Sequence, residues 1–226
     1  MEFFRLLINR LINIAPSNLA MEKADKKAEI LKAAEWLFAE FGFEGTSTRQ
    51  IAKESGANMA MINYYFGSKE GVFLEIMESR IADFKTQLNL IAKENISAQD
   101  KLLKVVEVYS TRIFSNICFH KMMHRELLQI QRPEMFTQIK DAMSQNRMVI
   151  ESIINKGIDD GSFRKVDVRM LIVSFMGTIN MVAISPTKVI ADPNFDINND
   201  ADRNLLKTRL IDHLHDLLLT HLIPTN

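Results

Sequence analysis

Between Thr46 and Lys69 the chain reads TSTRQIAKESGANMAMINYYFGSK. Three cations, Arg49, Lys53 and Lys69, stand there against the single anion Glu54, an excess of 3 − 1 = +2 that suits a phosphate surface. Two short helical patterns flank Gly56, each preceded by a residue able to cap it, Ser47 and Asn58. Two short helices joined by so tight a turn form a helix-turn-helix, whose second member fits a DNA major groove.

Other residues invite other chemistry. His120 and His124 fall one helical turn apart with Glu126 nearby, a spacing that two imidazoles can use on one metal ion, although no third ligand is placed by the spacing. His213 and His215 cannot share a helix face. Asp192, Asp196, Asn198 and Asp200 alternate as calcium ligands do. A calcium loop starting at Asp192 would need Gly and Glu where Ile197 and Arg203 stand, so a solvated loop is the better reading. No nucleophile paired with a base and no phosphate-cradling glycine loop is found, so neither a catalytic residue, a metal nor a cofactor is expected, and the chain does not read as an enzyme.

The elements that position these residues are helices throughout. Ile30, Leu31, Ala34, Leu37, Phe38 and Phe41 make one apolar stripe of a first helix, from about Ala24 to Phe41, with Trp36 off the stripe. Gly42 ends it. Ser47 with Gln50 forms a capping box for a second helix over about Thr48–Ser55, and Asn58 opens a third over Met59–Phe66. Ser68 opens a long fourth towards Ile91, and Ser97 with Asp100 a fifth to about Phe114. A sixth spans about Ile117–Ile130, and Pro133 begins a seventh that runs to about Asp159. The last two cover about Asp167–Ile184 and Ala201–Ile223. The final helix carries leucines on more than one face, so it must be covered both by its own domain and by a second subunit.

Composition agrees. Nearly half the 226 residues are hydrophobic, a quarter are charged, and only 8 Gly and 5 Pro interrupt them. Formal net charge is zero, so any surface for nucleic acid must be local. The lone Cys118 allows no internal disulfide and suits a reducing cytoplasm. No apolar run is long enough to span a membrane, and no stable membrane association is expected. Residues 1–20 form an amphipathic extension, with Phe3, Phe4, Leu7, Ile8, Leu11 and Ile14 at helical spacing.

Over roughly Ile30–Met77 the chain resembles the TetR family of bacterial transcriptional regulators. Ala33-Ala34-Glu35, Leu37-Phe38, Phe41-Gly42-Phe43, Thr46, Ile51-Ala52, Gly56, Tyr65-Phe66 and Ser68-Lys69-Glu70 fall where the family pattern has them. The resemblance implies an all-α protein with a helix-turn-helix head at 21–68 and a helical effector-binding and dimerisation domain at 69–226. It makes the third helix the recognition helix, with Met59, Ala60, Met61, Asn63, Tyr64 and Tyr65 on or near its DNA side. Asn63 is then placed for a base edge and Ala60 or Met61 for a thymine methyl, with Tyr65 and Lys69 on phosphates. Thr46, Thr48 and Arg49 would meet the other backbone strand. Met59 departs from the small polar or basic residue frequent there in the family. One of the adjacent Tyr64 and Tyr65 should point outward.

The family's usual logic is a homodimeric repressor on double-stranded DNA, a palindromic operator, paired through its last two helices and released by a small apolar or amphipathic effector. Phe114, Phe119, Met122, Met123, Phe175, Met176 and Ile179 are the candidate lining of the effector pocket, methionines suiting an adaptable wall. A dimeric helical scaffold without any small-molecule effector is the alternative for the same residues.

Overall fold

The computed structural model describes residues 24–127 and 133–224, and the amphipathic segment 1–20 lies outside them. Helix α1 covers residues 24–41. It is followed by α2 (Thr48–Glu54), α3 (Met59–Phe66), α4 (Lys69–Lys93), α5 (Ala98–Ser115), α6 (Ile117–Leu127), α7 (Pro133–Asp159), α8 (Val168–Ile184) and α9 (Asp200–Leu222). A single turn of 3-10 helix, Pro186–Lys188, lies in the connection before α9. No strand occurs among the described residues. The expected run of α6 to Ile130 enters residues 128–132, which are outside the described set.

The caps are those the residue types call for. Ser47 Oγ accepts from the Gln50 amide while Gln50 returns a bond to the Ser47 amide at 2.8 Å. Asn58 Oδ1 accepts from the Met61 amide at 2.9 Å, and Ser68 Oγ from that of Gly71 at 3.2 Å. At Ser97 the expected reciprocal box takes another form. Its hydroxyl accepts from the Asp100 amide at 3.0 Å and donates to the Asp100 carboxylate at 2.6 Å. The Asp side chain is one methylene shorter than the Glu of a full box and meets the hydroxyl instead of the cap amide.

By its internal contacts the chain divides into two units, the first ending at Ile76 and the second beginning at Met77, so the division falls within α4. In the first unit Ile30, Ala34, Leu37 and Phe38 of α1 are buried with Ile51, Ile62, Val72 and Phe73. Phe41, expected on the same stripe, is 52 % exposed and meets Trp36 edge-on with centroids 6.0 Å apart. Gly42 explains the exchange. Its φ of 77° turns the chain at the end of α1. Phe43 is then fully buried, stacked on Phe38 at 5.4 Å and edge-on to Phe73 at 5.2 Å.

The second unit gathers α5 with α6, α7, α8 and α9. Its core joins Phe84 and Leu88 of α4, Val105 and Ile113 of α5, Ile150 and Ile154 of α7, and Phe175 and Ile179 of α8. Helix α9 sends Leu206, Leu210, Leu214, Leu218 and Leu222 into that core, one every four residues. Leu205, Leu217 and Ile223 of the same chain end stay exposed, as do Met170, Val173 and Met181 of α8. Between α8 and α9 the Asp192 and Asp196 carboxylates accept from the Asn194 and Asn198 amides at 2.8 and 2.9 Å. These carboxylates brace the loop backbone.

Candidate DNA interface and effector cavity

Helices α2 and α3 meet across Gly56, whose φ of 59° lets the chain reverse in a single turn. Ile51, Ala52 and Ile62 are buried between them, which fixes the outward face of α3. That face carries Met59, Ala60 and Asn63 exposed and Met61 half-buried. Tyr64 is 76 % exposed, whereas Tyr65 turns against Phe66 with centroids 6.0 Å apart. The two tyrosine rings meet edge to face at 5.1 Å, so Tyr65 braces the exposed one. Beside them on α2, Arg49 and Lys53 are exposed and Thr48 is half-buried.

Two residues expected on phosphates are turned to other work. Thr46 is only 2 % exposed, and its hydroxyl lies 2.8 Å from the Gly42 carbonyl and 3.1 Å from that of Leu37. It closes the end of α1, whose last carbonyls have no helical partners. Lys69 donates from Nζ to the Phe43 carbonyl at 2.9 Å and sits 4.2 Å from the centre of the Phe43 ring. Its ammonium ties α4 to the turn after α1.

The second unit holds a cavity of about 780 Å³. Met77, Arg80, Ile81 and Phe84 of α4 line it, with Tyr109 and Arg112 of α5 and Phe119, His120, Met123 and His124 of α6. Helix α7 adds Lys140, Asp141, Met143, Ser144, Asn146 and Arg147, and α8 adds Ile172, Val173, Met176, Gly177 and Asn180. The wall is mostly apolar and aromatic, but it bears four permanent cations, Arg80, Arg112, Lys140 and Arg147, against the one carboxylate of Asp141. Arg80 lies over the Phe119 ring at 5.4 Å and Arg112 over that of Phe84 at 5.6 Å, so both guanidinium groups rest on aromatic wall residues. Arg112 also donates to the Arg80 carbonyl. Arg147 is paired with Glu151 at 3.3 Å. Arg80 and Arg112 border as well a smaller polar hollow of about 410 Å³, with Gln87, Glu107 and Thr111.

Burial, with the charges of Arg112 and Arg80, lowers the His120 pKa from its ordinary value to about 4, so the ring is neutral near pH 7. Burial raises the Tyr109 pKa above its ordinary value, and its hydroxyl oxygen accepts from Asn180 Nδ2 at 2.7 Å. The cavity can therefore hold an apolar body, attract an anion and form hydrogen bonds to neutral polar groups. Among the described residues no three His, Cys, Asp or Glu side chains come together as a metal site.

Comparison with known proteins agrees with this arrangement. Residues 30–76 match the model for bacterial regulatory proteins of the tetR family, and residues 95–184 match that for the tetracyclin repressor-like C-terminal domain. The transcriptional repressor NicS of Pseudomonas putida is 30% identical over 143 residues, covering 61% of this chain and 68% of that one. The chain belongs to the TetR family. It is accordingly a DNA-binding transcriptional regulator of the repressor class. The fatty acid metabolism regulator protein of Bacillus subtilis is 24% identical over 177 residues, 78% of this TetR-family chain and 90% of that protein. The crystal structure of FadR from Bacillus subtilis in complex with stearoyl-CoA superposes with a TM-score of 0.64 at 24% identity, covering 81% of this chain and 97% of the other.

Of the pocket residues expected in this TetR-family chain, Phe119, Met123 and Met176 line the cavity. Phe114, Phe175 and Ile179 belong to the core of the second unit instead, and Met122 is buried away from the cavity wall. On α6 successive residues lie about 100° apart around the axis, so neighbouring apolar positions divide between core and cavity. Six polar members of the lining, Arg80, Tyr109, Arg112, Asn146, Arg147 and Asn180, are absent from the sequence expectation. Their signal is nonetheless present. Arg80 and Arg112 stand four before Phe84 and three after Tyr109, charged side chains one turn from buried aromatic ones.

Among the described residues no helix is long and apolar enough to cross a membrane. The single thiol, Cys118, is exposed on α6 next to Phe119.

Proposed function

We propose that this regulator is a non-enzymatic, cytoplasmic homodimer that represses from a palindromic operator and is released by an amphipathic anion of the acyl-CoA kind. One observation carries the reading. The apolar cavity is bordered by Arg80 and Arg112, which also border a polar hollow, so one molecule with an apolar tail and an anionic head would be served by both. Stearoyl-CoA, named for the Bacillus subtilis neighbour, has that chemistry.

On the DNA side, Asn63, Met59, Ala60 and Met61 face bases, and Tyr64, Tyr65, Thr48 and Arg49 serve phosphates. Residues 21–68 carry the reading head and 69–226 the sensing and pairing surfaces. The exposed Met170, Val173, Met181, Leu205 and Leu217 support pairing through α8 and α9, since such apolar side chains gain most from a second copy. Helix α4 carries Lys69 at one end and the cavity residues Arg80 and Phe84 further along, which supports coupling along that helix. The effector must bind the DNA-incompetent state more tightly, because equal affinity for both states shifts nothing.

The test is selection of DNA from a random pool, followed by titration of the selected duplex complex with acyl-CoA thioesters of increasing chain length. A palindrome should emerge, and long-chain thioesters should release it at concentrations where free coenzyme A does not. Enrichment of no sequence, or a complex indifferent to every thioester, overturns the reading.

A further inference from the structure

Helix α3 is apolar over its first turn. Its eight residues, MAMINYYF, include no charged side chain and a single amide, that of Asn63. Met59 is 45 % exposed, Ala60 and Asn63 are exposed, and Met61 is half-buried. The polar residues nearby are engaged. Asn58 Oδ1 accepts from the Met61 amide at 2.9 Å, and Gln50 Oε1 accepts from the Ser47 amide and hydroxyl at 2.8 and 2.7 Å. Base edges are met by the N-terminal residues of a recognition helix, while the helix before it crosses the phosphate backbone. On that geometry Arg49 and Lys53, the exposed cations of α2, belong to phosphates.

The two kinds of base pair meet such a face differently. In the major groove guanine shows the acceptors N7 and O6, matched by Arg or Lys, and cytosine an amino donor, matched by Asp or Glu. Helix α3 has none of these four residue types. Packed on methionine and alanine, a G·C pair gives up water and regains no bond. An A·T pair carries as many polar groups, but it alone adds a methyl group. That methyl gains from apolar contact, and the adenine N6 and N7 fit both atoms of an asparagine amide. The flexible Met59 side chain adapts to a methyl group within its reach.

We propose that the pairs facing α3 in each operator half-site are A·T, with an adenine under Asn63 and thymine methyl groups packed on Met59 and Ala60. This rests on α3 being the recognition helix and deepens that reading, since it names the class of sequence the head selects.

The experiment uses the full-length protein. Pairs whose preference in random-pool selection changes in Asn63→Ala or Met59→Ala are those facing α3, and they should be A·T. Both side chains are exposed, so neither substitution opens the core. In the selected duplex, deoxyuridine in place of such a thymine in both half-sites removes only the methyl groups and should weaken binding roughly tenfold. Met59→Ala should reduce that loss at the thymine it meets. Adenine lacking N7 (7-deazaadenine) at the Asn63 pair should weaken the wild type about fivefold or more and leave Asn63→Ala unaffected. G·C at those pairs, or a selected palindrome bound with indifference to both modified bases, overturns the proposal alone. If neither variant changes the preference, or no sequence is enriched, the recognition-helix reading fails with it.

Discussion

Lys69 holds Phe43 twice, by a 2.9 Å hydrogen bond to its carbonyl and by an ammonium 4.2 Å from its ring centre. Phe43 is wholly buried between Phe38 and Phe73, so the lysine fastens the start of α4 to the core of the reading head. A charge-assisted bond and a cation over a ring together stabilise by about 2 kcal/mol. Lys69→Ala should lower the head's stability by roughly that amount in urea unfolding. The salt dependence of DNA binding should keep its slope in that variant. Arg49→Ala should flatten it by about one unit.

Asn63 stands exposed on α3 beside Tyr64, with Ile62 buried behind them. Asn63→Ala should cost about 1–3 kcal/mol at one base pair per half-site and leave affinity for random DNA nearly unchanged. Competition binding against operators altered one pair at a time reads this directly. A uniform loss across all of them assigns Asn63 to positioning.

His120 makes stability depend on acidity. Its pKa is lowered from 6.5 to about 4 by burial and by the nearby Arg112 and Arg80 charges. Between those values the unfolded chain binds a proton that the folded chain does not, so stability falls as pH drops from 6.5 towards 4. The loss attributable to this ring approaches about 3 kcal/mol at the acid end. Unfolding at pH 7 and pH 5, for wild type and His120→Phe, isolates the contribution. The variant should lose less on acidification.

Gly157 lies under the Phe163 ring, where an added Cβ would come within 2.3 Å of ring carbon Cδ2. Phe163 is buried, and its amide donates to the Gly157 carbonyl at 2.7 Å, so the ring has little room to retreat. Gly157→Ala should destabilise by about 1–3 kcal/mol through overpacking, visible as a lower Tm. An unchanged Tm shows that the ring moves freely.

Leu205 is 68 % exposed on α9 while its neighbour Leu206 is buried. Leu205→Glu spares the protomer core. It should nevertheless shift the protein towards monomer in sedimentation and weaken operator binding, since two heads reading two half-sites depend on pairing. A variant still dimeric at low concentration assigns pairing to another surface.

The helices were legible because their caps and stripes repeat rules that act within a few residues. Ser47, Asn58 and Ser68 each bond the amide their type suggests. Phe41 and Phe43 show where such rules stop. Both are aromatic near the end of one stripe, and only the turn at Gly42 decides which enters the core. Thr46 and Lys69 occupy positions matching the DNA-binding pattern, yet their polar atoms bond Gly42 and Phe43, a choice set by tertiary packing. The cavity was half legible. Phe119 and Phe175 are alike in type and burial, and only the assembled helices make one a cavity wall and the other core.

The chain contains one tryptophan and one cysteine. Trp36 is half exposed in the first unit, and Cys118 is exposed in the second beside the cavity residue Phe119. A thiol-reactive acceptor dye on the native cysteine would pair with the native indole as energy donor. The unmodified sequence thus has a built-in molecular ruler between its reading and sensing halves, usable with operator or ligand added and with no residue replaced.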